Sequence, residues 1–258
     1  MSDYPYVDTQ VVWDKPMKFV VDGLRGEDWF GKVGLIRRSG GVVAEGLHHL
    51  NNWNAWIRAM IKPGMTVMDV GANEGWTTCV FAQAVGPAGR VIAFEPDPEN
   101  CRRIARNIEL NGLANVHVHQ RVVADVTGEA RTFAAERVMT DGTGITVETV
   151  RLDDFAHDAP DVIKVDVEGM EWPVLLGSEK LLTSGVAWEV ELHLSDIPGG
   201  VNMTTFFGFN PWDIMACFKR HGYTIRQDGV IVPDGTVPRH GSIWCSRGEI
   251  VVHAAVEP

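Results

Sequence analysis

The stretch of residues 66–95 constrains the fold of this chain more than any other part of the sequence. It begins with a short apolar strand that enters a glycine turn at 71–75, and a helix-compatible segment then runs to Gly86 and Pro87. Glycine accepts a left-handed cap and proline cannot continue a helix, so the helix should end there. A second apolar strand ends at Glu95. The pattern predicts a βαβ unit with an acid at the tip of its second strand.

The charge of the glycine turn separates two kinds of nucleotide cofactor. The dinucleotide fingerprint GxGxxG is absent, since the turn reads Gly-Ala-Asn-Glu-Gly and Asp69 precedes it. A pyrophosphate needs free amides at a helix N-terminus and is repelled by carboxylates. Asp69 and Glu74 suit a cation instead, and S-adenosylmethionine carries a sulfonium and an ammonium group but no phosphate. The turn therefore favours S-adenosylmethionine over NAD, with Glu95 placed to bind the ribose hydroxyls.

Three segments in a fixed order carry a family resemblance. They read Asp-Val-Gly-Ala-Asn-Glu-Gly at 69–75, Phe-Glu-Pro-Asp-Pro-Glu-Asn at 94–100 and Ile-Lys-Val-Asp-Val-Glu-Gly-Met-Glu at 163–171. Together they resemble the FkbM family of S-adenosylmethionine-dependent methyltransferases, over roughly residues 67–193. The resemblance implies an α/β, Rossmann-like class I methyltransferase fold, with a mostly parallel seven-stranded sheet flanked by helices and an antiparallel seventh strand. It also implies O-methylation of a small-molecule, polyketide or sugar hydroxyl.

Residues 1–62 are expected to form an N-terminal extension that packs on the methyltransferase domain of residues 63–258. The extension should contain a β-hairpin with its turn at 37–41. A helix should follow, because apolar residues recur at helical spacing between residues 47 and 61. A helix of this kind in class I methyltransferases lies over the cofactor and contributes to the acceptor pocket. His48 is thus a candidate substrate-binding residue, although polar helix faces are more often only solvated.

The composition of the chain limits which partners and which cellular compartment are expected. The length of 258 residues suits one large α/β domain with additions, and the net charge of −11 argues against a nucleic-acid partner. Four dispersed cysteines without a CxxC pair predict neither a disulfide framework nor a zinc site. The sequence shows no signal peptide and no apolar run long enough for a membrane span. We expect a cytoplasmic protein without a membrane partner, as a monomer or a homodimer.

The cofactor is expected along the strand ends that face the ligand crevice of a doubly wound sheet. Residues 116–123 are predicted to form the third strand, and Val123 and Asp125 at its end should line the adenine. Asp125 would equally well begin a turn before Thr127. The residues expected to contact the cofactor are Asp69, Gly71, Ala72, Asn73, Gly75, Thr77, Glu95, Pro96, Asn100, Val123, Asp125 and Asp166.

Two predicted strands carry charges where a covered parallel sheet should be apolar. In residues 161–168, every second position carries a charge on one face of the strand, namely Lys164, Asp166 and Glu168. Residues 188–193 repeat this pattern with Glu189, Glu191 and His193. An unpaired buried charge is costly, so Lys164 is expected to pair with Glu189 or Glu191. Such a pair would leave Asp166 and His193 at the crevice.

A hydroxyl acceptor must lose its proton during methyl transfer, and a base with a pKa near the working pH serves best. His193 is the first candidate for this catalytic base, and Asp166 is the second, as base or as the group that orients the acceptor. A buried histidine that only orients its neighbours is an equal alternative for His193. A metal site of Asp166, Glu191 and His193 is a weaker alternative because its spacing is not diagnostic, and no metal is expected.

Aromatic residues near the crevice are candidates for binding a small-molecule acceptor. Trp172 would stack on it, and Phe206 and Phe207 would form a wall or lid beside the glycines at 199–200. Core packing is the more common role of such side chains. Three further functions stay open: an N-methyltransferase, an NAD-dependent oxidoreductase, and a cofactor-binding protein without catalysis. The sequence leaves the identity of the acceptor open.

Overall fold

A mixed eight-stranded sheet forms the centre of the computed structural model. The structure describes residues 6–12, 15–21, 57, 59–134, 137–139, 142–194, 196–197, 201–202, 209–239 and 241–248. In chain order its strands are β1 (Tyr6–Val12), β2 (Lys15–Val21), β3 (Thr66–Val70), β4 (Arg90–Phe94), β5 (Val116–His119), β6 (Val122–Val123), β7 (Ala130–Ala134), β8 (Arg137–Met139), β9 (Ile145–Val150), β10 (Val162–Val165), β11 (Ala187–Leu192), β12 (Asp196–Ile197), β13 (Val201–Asn202), β14 (Thr224–Gln227), β15 (Val230–Ile231) and β16 (Gly241–Ser246). Its helices are α1 (Trp76–Val85), α2 (Pro98–Leu110), α3 (Glu171–Leu176), α4 (Glu179–Ser184) and α5 (Pro211–Arg220), and a 3₁₀ helix covers Leu152–Asp158.

The strand order of the central sheet is β15-β14-β16-β11-β10-β3-β4-β5. The strands β11, β10, β3, β4 and β5 run parallel, whereas β16 is antiparallel to both β11 and β14. This order confirms the predicted Rossmann-like sheet with an antiparallel strand. The short strand β15 pairs with β14 at the edge and makes the sheet one strand wider than expected.

The local signals of the predicted βαβ unit are confirmed. The strands β3 and β4 are almost wholly buried, as strands covered on both faces should be. The helix α1 ends at Gly86, which has a φ of +66°. The Asp97 side chain caps α2 by accepting a hydrogen bond from the Glu99 amide at 2.7 Å. Asn210 caps α5 in the same way, with 3.0 Å to the Trp212 amide.

The prediction of one strand over residues 116–123 is wrong. The chain turns at Arg121, whose amide donates to the His119 carbonyl at 2.9 Å, and leaves the central sheet. Its continuation, β6, pairs with β9 in a second sheet of order β6-β9-β7-β8. The inner side of this second sheet is apolar, and its cluster includes Phe133, Val138 and Met170. The strands β6, β7, β8 and β9 therefore build a wall beside the edge at which β10 ends.

An antiparallel hairpin of β1 and β2 packs on α2. Met17 and Phe19 of β2 are buried in the core beside α1. The amides of Lys18 and Val20 donate to the side chains of Asn111 and Asn107, both at 2.8 Å. The expected turn at 37–41 lies outside the described residues, and so does most of the expected helix at 47–61. The domain boundary at residue 62 stays a prediction.

Alternate residues of the central strands supply two hydrophobic cores. Met68 and Val70 of β3 face the core shared with α3, α4 and α5, whereas Val67 faces the core shared with α1. The two cores fix the sheet between helical layers and leave its carboxyl edge open for ligands. Across the described ranges, we find no helix with the length and apolar character needed to span a bilayer.

Candidate active site

A cavity with about 670 Å³ of empty space, part of it open to solvent, lies at the carboxyl edge of β10, β3 and β4. It is lined by Val70, Gly71, Asn73, Phe94, Glu95, Pro96, Asn100, Arg121, Val122, Val123, Phe133, Val138, Asp166, Val167, Glu168 and Met170.

The strand order gives the cavity two chemically different sides. The turn after β3 supplies Gly71 and Asn73 at the middle of the edge. On the side of β4 lies Glu95, and on the side of β10 lie Asp166 and Glu168. Apolar side chains of the second sheet pack against Val167 and Met170, which follow β10. The cavity thus joins one acid, a separate pair of acids and an apolar wall.

Gly71 is required by contact between two turns of the protein itself. It has a φ of +81°, and a Cβ atom there would lie 1.8 Å from the main-chain oxygen of Asp166. Gly75 has a φ of +84°, and its Cβ would lie 2.8 Å from the Ile104 side chain of α2. These glycines let the turn after β3 pack against its neighbours, so ligand approach is not their only explanation.

Glu95 is a buried acid with an ordered environment. It is 3% exposed. Its oxygens accept hydrogen bonds from the Asn73 amide at 2.7 Å, the Asp97 amide at 2.9 Å and the Asn100 side chain at 3.4 Å. Burial raises the pKa of Glu95 to about 7, although these donors oppose the shift. A carboxylate has about four acceptor positions, so at least one is left for a ligand hydroxyl.

Lys164 connects the turn after β3 to the end of β10. Its Nζ lies 3.4 Å from Asp69 Oδ1, 3.2 Å from Asp166 Oδ2 and 3.5 Å from the Gly71 carbonyl oxygen. Asp69 has no exposed surface, and its other oxygen accepts a hydrogen bond from Thr78 at 2.6 Å. The network fixes the two turns relative to each other.

The expectation that Lys164 pairs with Glu189 or Glu191 is wrong. Lys164 lies in register with both Glu189 and Asp69, but its ammonium contacts Asp69 of β3, the Gly71 carbonyl oxygen and Asp166, which directly follows β10. Between the described residues no ion pair within 4.0 Å joins Lys164 to either glutamate. Burial consequently raises the pKa of Glu189 to about 8, with Lys164 opposing the shift through space.

His193 lies just beyond β11, with acidic groups at both ring nitrogens. Its Nδ1 is 2.7 Å from Glu171 Oε1, and its Nε2 is 3.6 Å from Asp166 Oδ1 and 3.5 Å from Glu168 Oε1. Burial alone would lower the pKa of His193, but hydrogen bonds to Glu168 and Glu171 and the charge of Asp166 raise it to about 12. The imidazole is therefore a cation at neutral pH when these carboxylates are its partners.

Glu168 does not belong to a strand, contrary to the predicted strand of residues 161–168. The strand β10 ends at Val165, and Glu168 lies in the following turn with a φ of +51°. Its side chain is 42% exposed and lines the cavity. The turn brings Glu168 beside Asp166 and His193 without any strand alternation.

The structure brings some of the predicted cofactor residues to the cavity and leaves others away from it. Those on its lining are Gly71, Asn73, Glu95, Pro96, Asn100, Val123 and Asp166. The remaining ones, which lie off the lining, are Asp69, Ala72, Gly75, Thr77 and Asp125. Trp172 is half-buried against the main core and is not on the lining. His48, Phe206 and Phe207 lie outside the described residues.

Several lining residues were not predicted from the sequence. They are Val70, Phe94, Arg121, Val122, Phe133, Val138, Val167, Glu168 and Met170. Strand periodicity in a sequence cannot show against which face of a domain a small sheet packs. Glu171 also gave no signal, because its partner His193 is 22 residues away.

The strand order, with antiparallel β16 and an acid directly after β4, is that of a Rossmann-like class I methyltransferase. A comparison with family models matches the methyltransferase FkbM domain over residues 69–225, so the chain belongs to this family. Residues 69–225 therefore belong to a methyltransferase domain of the class that uses S-adenosylmethionine as methyl donor. This finding excludes the NAD-dependent oxidoreductase that the sequence left open.

The chain is similar to several characterised methyltransferases. It is 30% identical over 143 residues to the hexuronic acid methyltransferase AglP of Haloferax volcanii, covering 52% of this chain and 58% of that protein. It is 42% identical over 60 residues to protein-L-isoaspartate O-methyltransferase of Pyrococcus horikoshii, covering 23% and 26%. The chain thus spans less than two thirds of these relatives. A SAM-dependent methyltransferase structure from Aquifex aeolicus aligns with a TM-score of 0.47 at 16% identity, covering 78% of this chain and 90% of that one.

Proposed function

We propose that this chain transfers the methyl group of S-adenosylmethionine to a hydroxyl oxygen of a small molecule, such as a sugar or another natural product. The observation that carries the proposal is that one cavity joins Glu95 to the acids Asp166 and Glu168. The first acid suits a ribose, and the pair of acids suits a cationic centre next to an acceptor.

The lining residues fit the chemical groups of the cofactor. Glu95 retains acceptor capacity for a ribose hydroxyl, and the apolar side chains of Val123, Phe133 and Val138 suit the adenine ring. Asp166 and Glu168 supply negative charge near the turn of Gly71, where a sulfonium and an ammonium group would be favoured. When bound, the cofactor supplies an electrophilic methyl group on sulfur.

The high pKa of His193 favours reversing the order of the two candidate bases. An imidazole that is already protonated cannot accept the proton of a hydroxyl. Asp166 lines the cavity and would accept the acceptor hydroxyl's proton as the new carbon–oxygen bond forms. His193 would act as a positioning residue, because its Nε2 faces Asp166 Oδ1 at 3.6 Å.

A sugar acceptor is supported by the relative named as a hexuronic acid methyltransferase. The cavity lining offers the carboxylates of Glu95, Asp166 and Glu168 together with the basic side chain of Arg121. A neutral polyol or a glycoside is compatible with the same lining through hydroxyl-to-carboxylate hydrogen bonds.

The test combines cofactor binding with an acceptor screen. Calorimetric titration with S-adenosylmethionine in EDTA should show binding, and titration with NAD should show none. Glycosides, free sugars, phenols and amines of similar size are then compared by release of S-adenosylhomocysteine, with mass spectrometry to locate the added methyl group. Methylation of a hydroxyl supports the proposal. Transfer to amines alone would instead show an N-methyltransferase.

A further inference from the structure

We propose that Asp166, Glu168 and His193 bind one divalent cation of the magnesium or manganese type. One potential ligand atom from each residue lies within 4.8 Å of the other two. His193 Nε2 lies 3.6 Å from Asp166 Oδ1 and 3.5 Å from Glu168 Oε1. Ligands about 2.1 Å from a common octahedral ion lie about 3–4 Å apart, so small side-chain shifts would complete the site. Two carboxylate oxygens and one imidazole nitrogen suit such an ion.

Glu171 provides an independent observation, because it is not one of the three ligands. It has no exposed surface, and its Oε1 accepts hydrogen bonds from His193 Nδ1 at 2.7 Å and from the Gly169 amide at 3.0 Å. Its Oε2 is buried and finds no hydrogen-bond partner in the described part of the chain. Metal-binding histidines commonly donate their second N–H to a carboxylate in this way. The arrangement directs Nε2 of His193 toward Asp166 and Glu168.

The balance of charge around the three residues also favours a cation. The acids in ion pairs with the basic groups of this region are Asp69, Asp166, Glu168 and Glu171, and these basic groups are Lys164 and His193. Lys164 is already engaged by Asp69 and by Oδ2 of Asp166. Carboxylates taken out of water require a partner of opposite charge. A divalent ion and the proton on His193 are alternative partners for Asp166 and Glu168.

The geometry selects a ligand set that differs from the sequence-based alternative. That alternative combined Asp166 and His193 with Glu191, whereas the turn after β10 brings Glu168 into reach. Asp166 and Glu168 both line the cavity, so the ion would face the space assigned to the acceptor. An ion there would attract hydroxyl oxygens of a polyol. The inference goes beyond the proposed function, since ion binding does not depend on which acceptor is methylated.

The experiment is a titration of the metal-stripped protein with Mn²⁺. Binding is measured by calorimetry and by the electron paramagnetic resonance signal of free Mn²⁺. One ion per chain is expected. Glu168→Gln and His193→Gln should each weaken binding about 10-fold or more. Glu109→Gln is the matched control, since this side chain of α2 is 71% exposed and distant from the site. Glu168 is partly exposed, so Glu168→Gln should fold even where His193→Gln does not.

Three results would overturn the inference. The first is the lack of Mn²⁺ and Mg²⁺ binding up to millimolar concentration, and the second is equal Mn²⁺ binding by Glu168→Gln and wild type. The third is loss of Mn²⁺ binding in the presence of saturating S-adenosylhomocysteine, which would assign the acids to the cofactor alone. Retention of Mn²⁺ binding with this ligand supports the ion site. Cofactor binding in EDTA is measured separately, so failure of the proposed function would be recognised by itself.

Discussion

Nδ1 of His193 lies 2.7 Å from Oε1 of Glu171, a carboxylate without exposed surface. The two residues meet because α3 begins at Glu171 shortly after β10, and His193 directly follows the neighbouring strand β11. The contact orients the imidazole so that Nε2 faces Asp166 and Glu168. The carboxyl edge of the sheet thus carries a buried imidazole with a fixed orientation, which can act as a cation or as a metal ligand.

Replacing Glu171 with glutamine should lower the pKa of His193. The carboxylate raises this pKa through a hydrogen bond and through its charge, and an amide would retain only part of the first effect. In EDTA, the His193 ring resonances of the wild type should show a cationic imidazole through pH 8 by nuclear magnetic resonance. In Glu171→Gln they should titrate at lower pH. Identical titration curves would contradict the assigned contact.

Replacing Glu95 with alanine should weaken S-adenosylmethionine binding about 10- to 100-fold. The change removes a buried acceptor of ribose hydrogen bonds and releases the Asn73 and Asp97 amides that this acid holds. Calorimetry measures the affinity. Glu99→Gln is the control, because Glu99 lies close by in the first turn of α2, is 47% exposed and does not line the cavity. Equal affinities of Glu95→Ala and wild type would refute the ribose assignment.

The stability of the apoprotein should fall as the pH rises from about 5 to 9. Glu95 and Glu189 have folded pKa values of about 7 and 8, above the ordinary 4.5, so above pH 4.5 the folded state retains protons that the unfolded state has lost. His193, with a folded pKa of about 12 against 6.5, acts in the same direction above pH 6.5. Thermal unfolding in EDTA at several pH values measures the trend.

The Glu189→Gln variant isolates one contributor to this pH dependence. An amide cannot ionise, so the variant should show a smaller loss of melting temperature between pH 5.5 and 8.5 than the wild type. Glu109→Gln, with an exposed side chain, should reproduce the wild-type slope. A slope unchanged by Glu189→Gln would mean that this buried carboxyl does not titrate in the range.

Replacing Gly71 with alanine should destabilise the protein by about 3 kcal/mol or more, because the new Cβ would overlap the Asp166 main-chain oxygen. Gly112→Ala separates this overlap from backbone strain. Gly112 also has a positive φ, of +61°, but its Cβ would meet no atom within 4 Å. It should cost only about 1–2 kcal/mol. Urea denaturation measures both, and equal losses would argue against the tight contact.

Replacing Phe133 with alanine should lower S-adenosylmethionine affinity about 10-fold by removing apolar surface from the proposed adenine wall. Ile145→Ala is a matched control, because Ile145 pairs with Phe133 across β7 and β9 but is 39% exposed and off the cavity lining. Calorimetry with S-adenosylmethionine on both variants distinguishes the loss of a cofactor contact from a general effect on the second sheet. A similar loss of affinity in Ile145→Ala would indicate a general effect on the second sheet.

Local sequence signals predicted the elements around the cofactor turn. The helix α1 and the strand β4 follow from an apolar pattern bounded by glycine. These signals act over a few residues, so they survive in any fold that accepts the segment. The break between β5 and β6 was missed, since an apolar run over 116–123 does not show that its two halves join different sheets.

The sequence by itself determined the βαβ unit, the acid after β4, the resemblance to FkbM methyltransferases and the charged residues after β10 and in β11. Only the tertiary structure decided which charges meet. Lys164 lies in register with acids on both sides and binds Asp69 and Asp166, and Glu168 reaches His193 from a turn. The physical reason is that charge pairing depends on the direction of side chains across neighbouring strands and turns. Residue spacing along one strand does not contain that information.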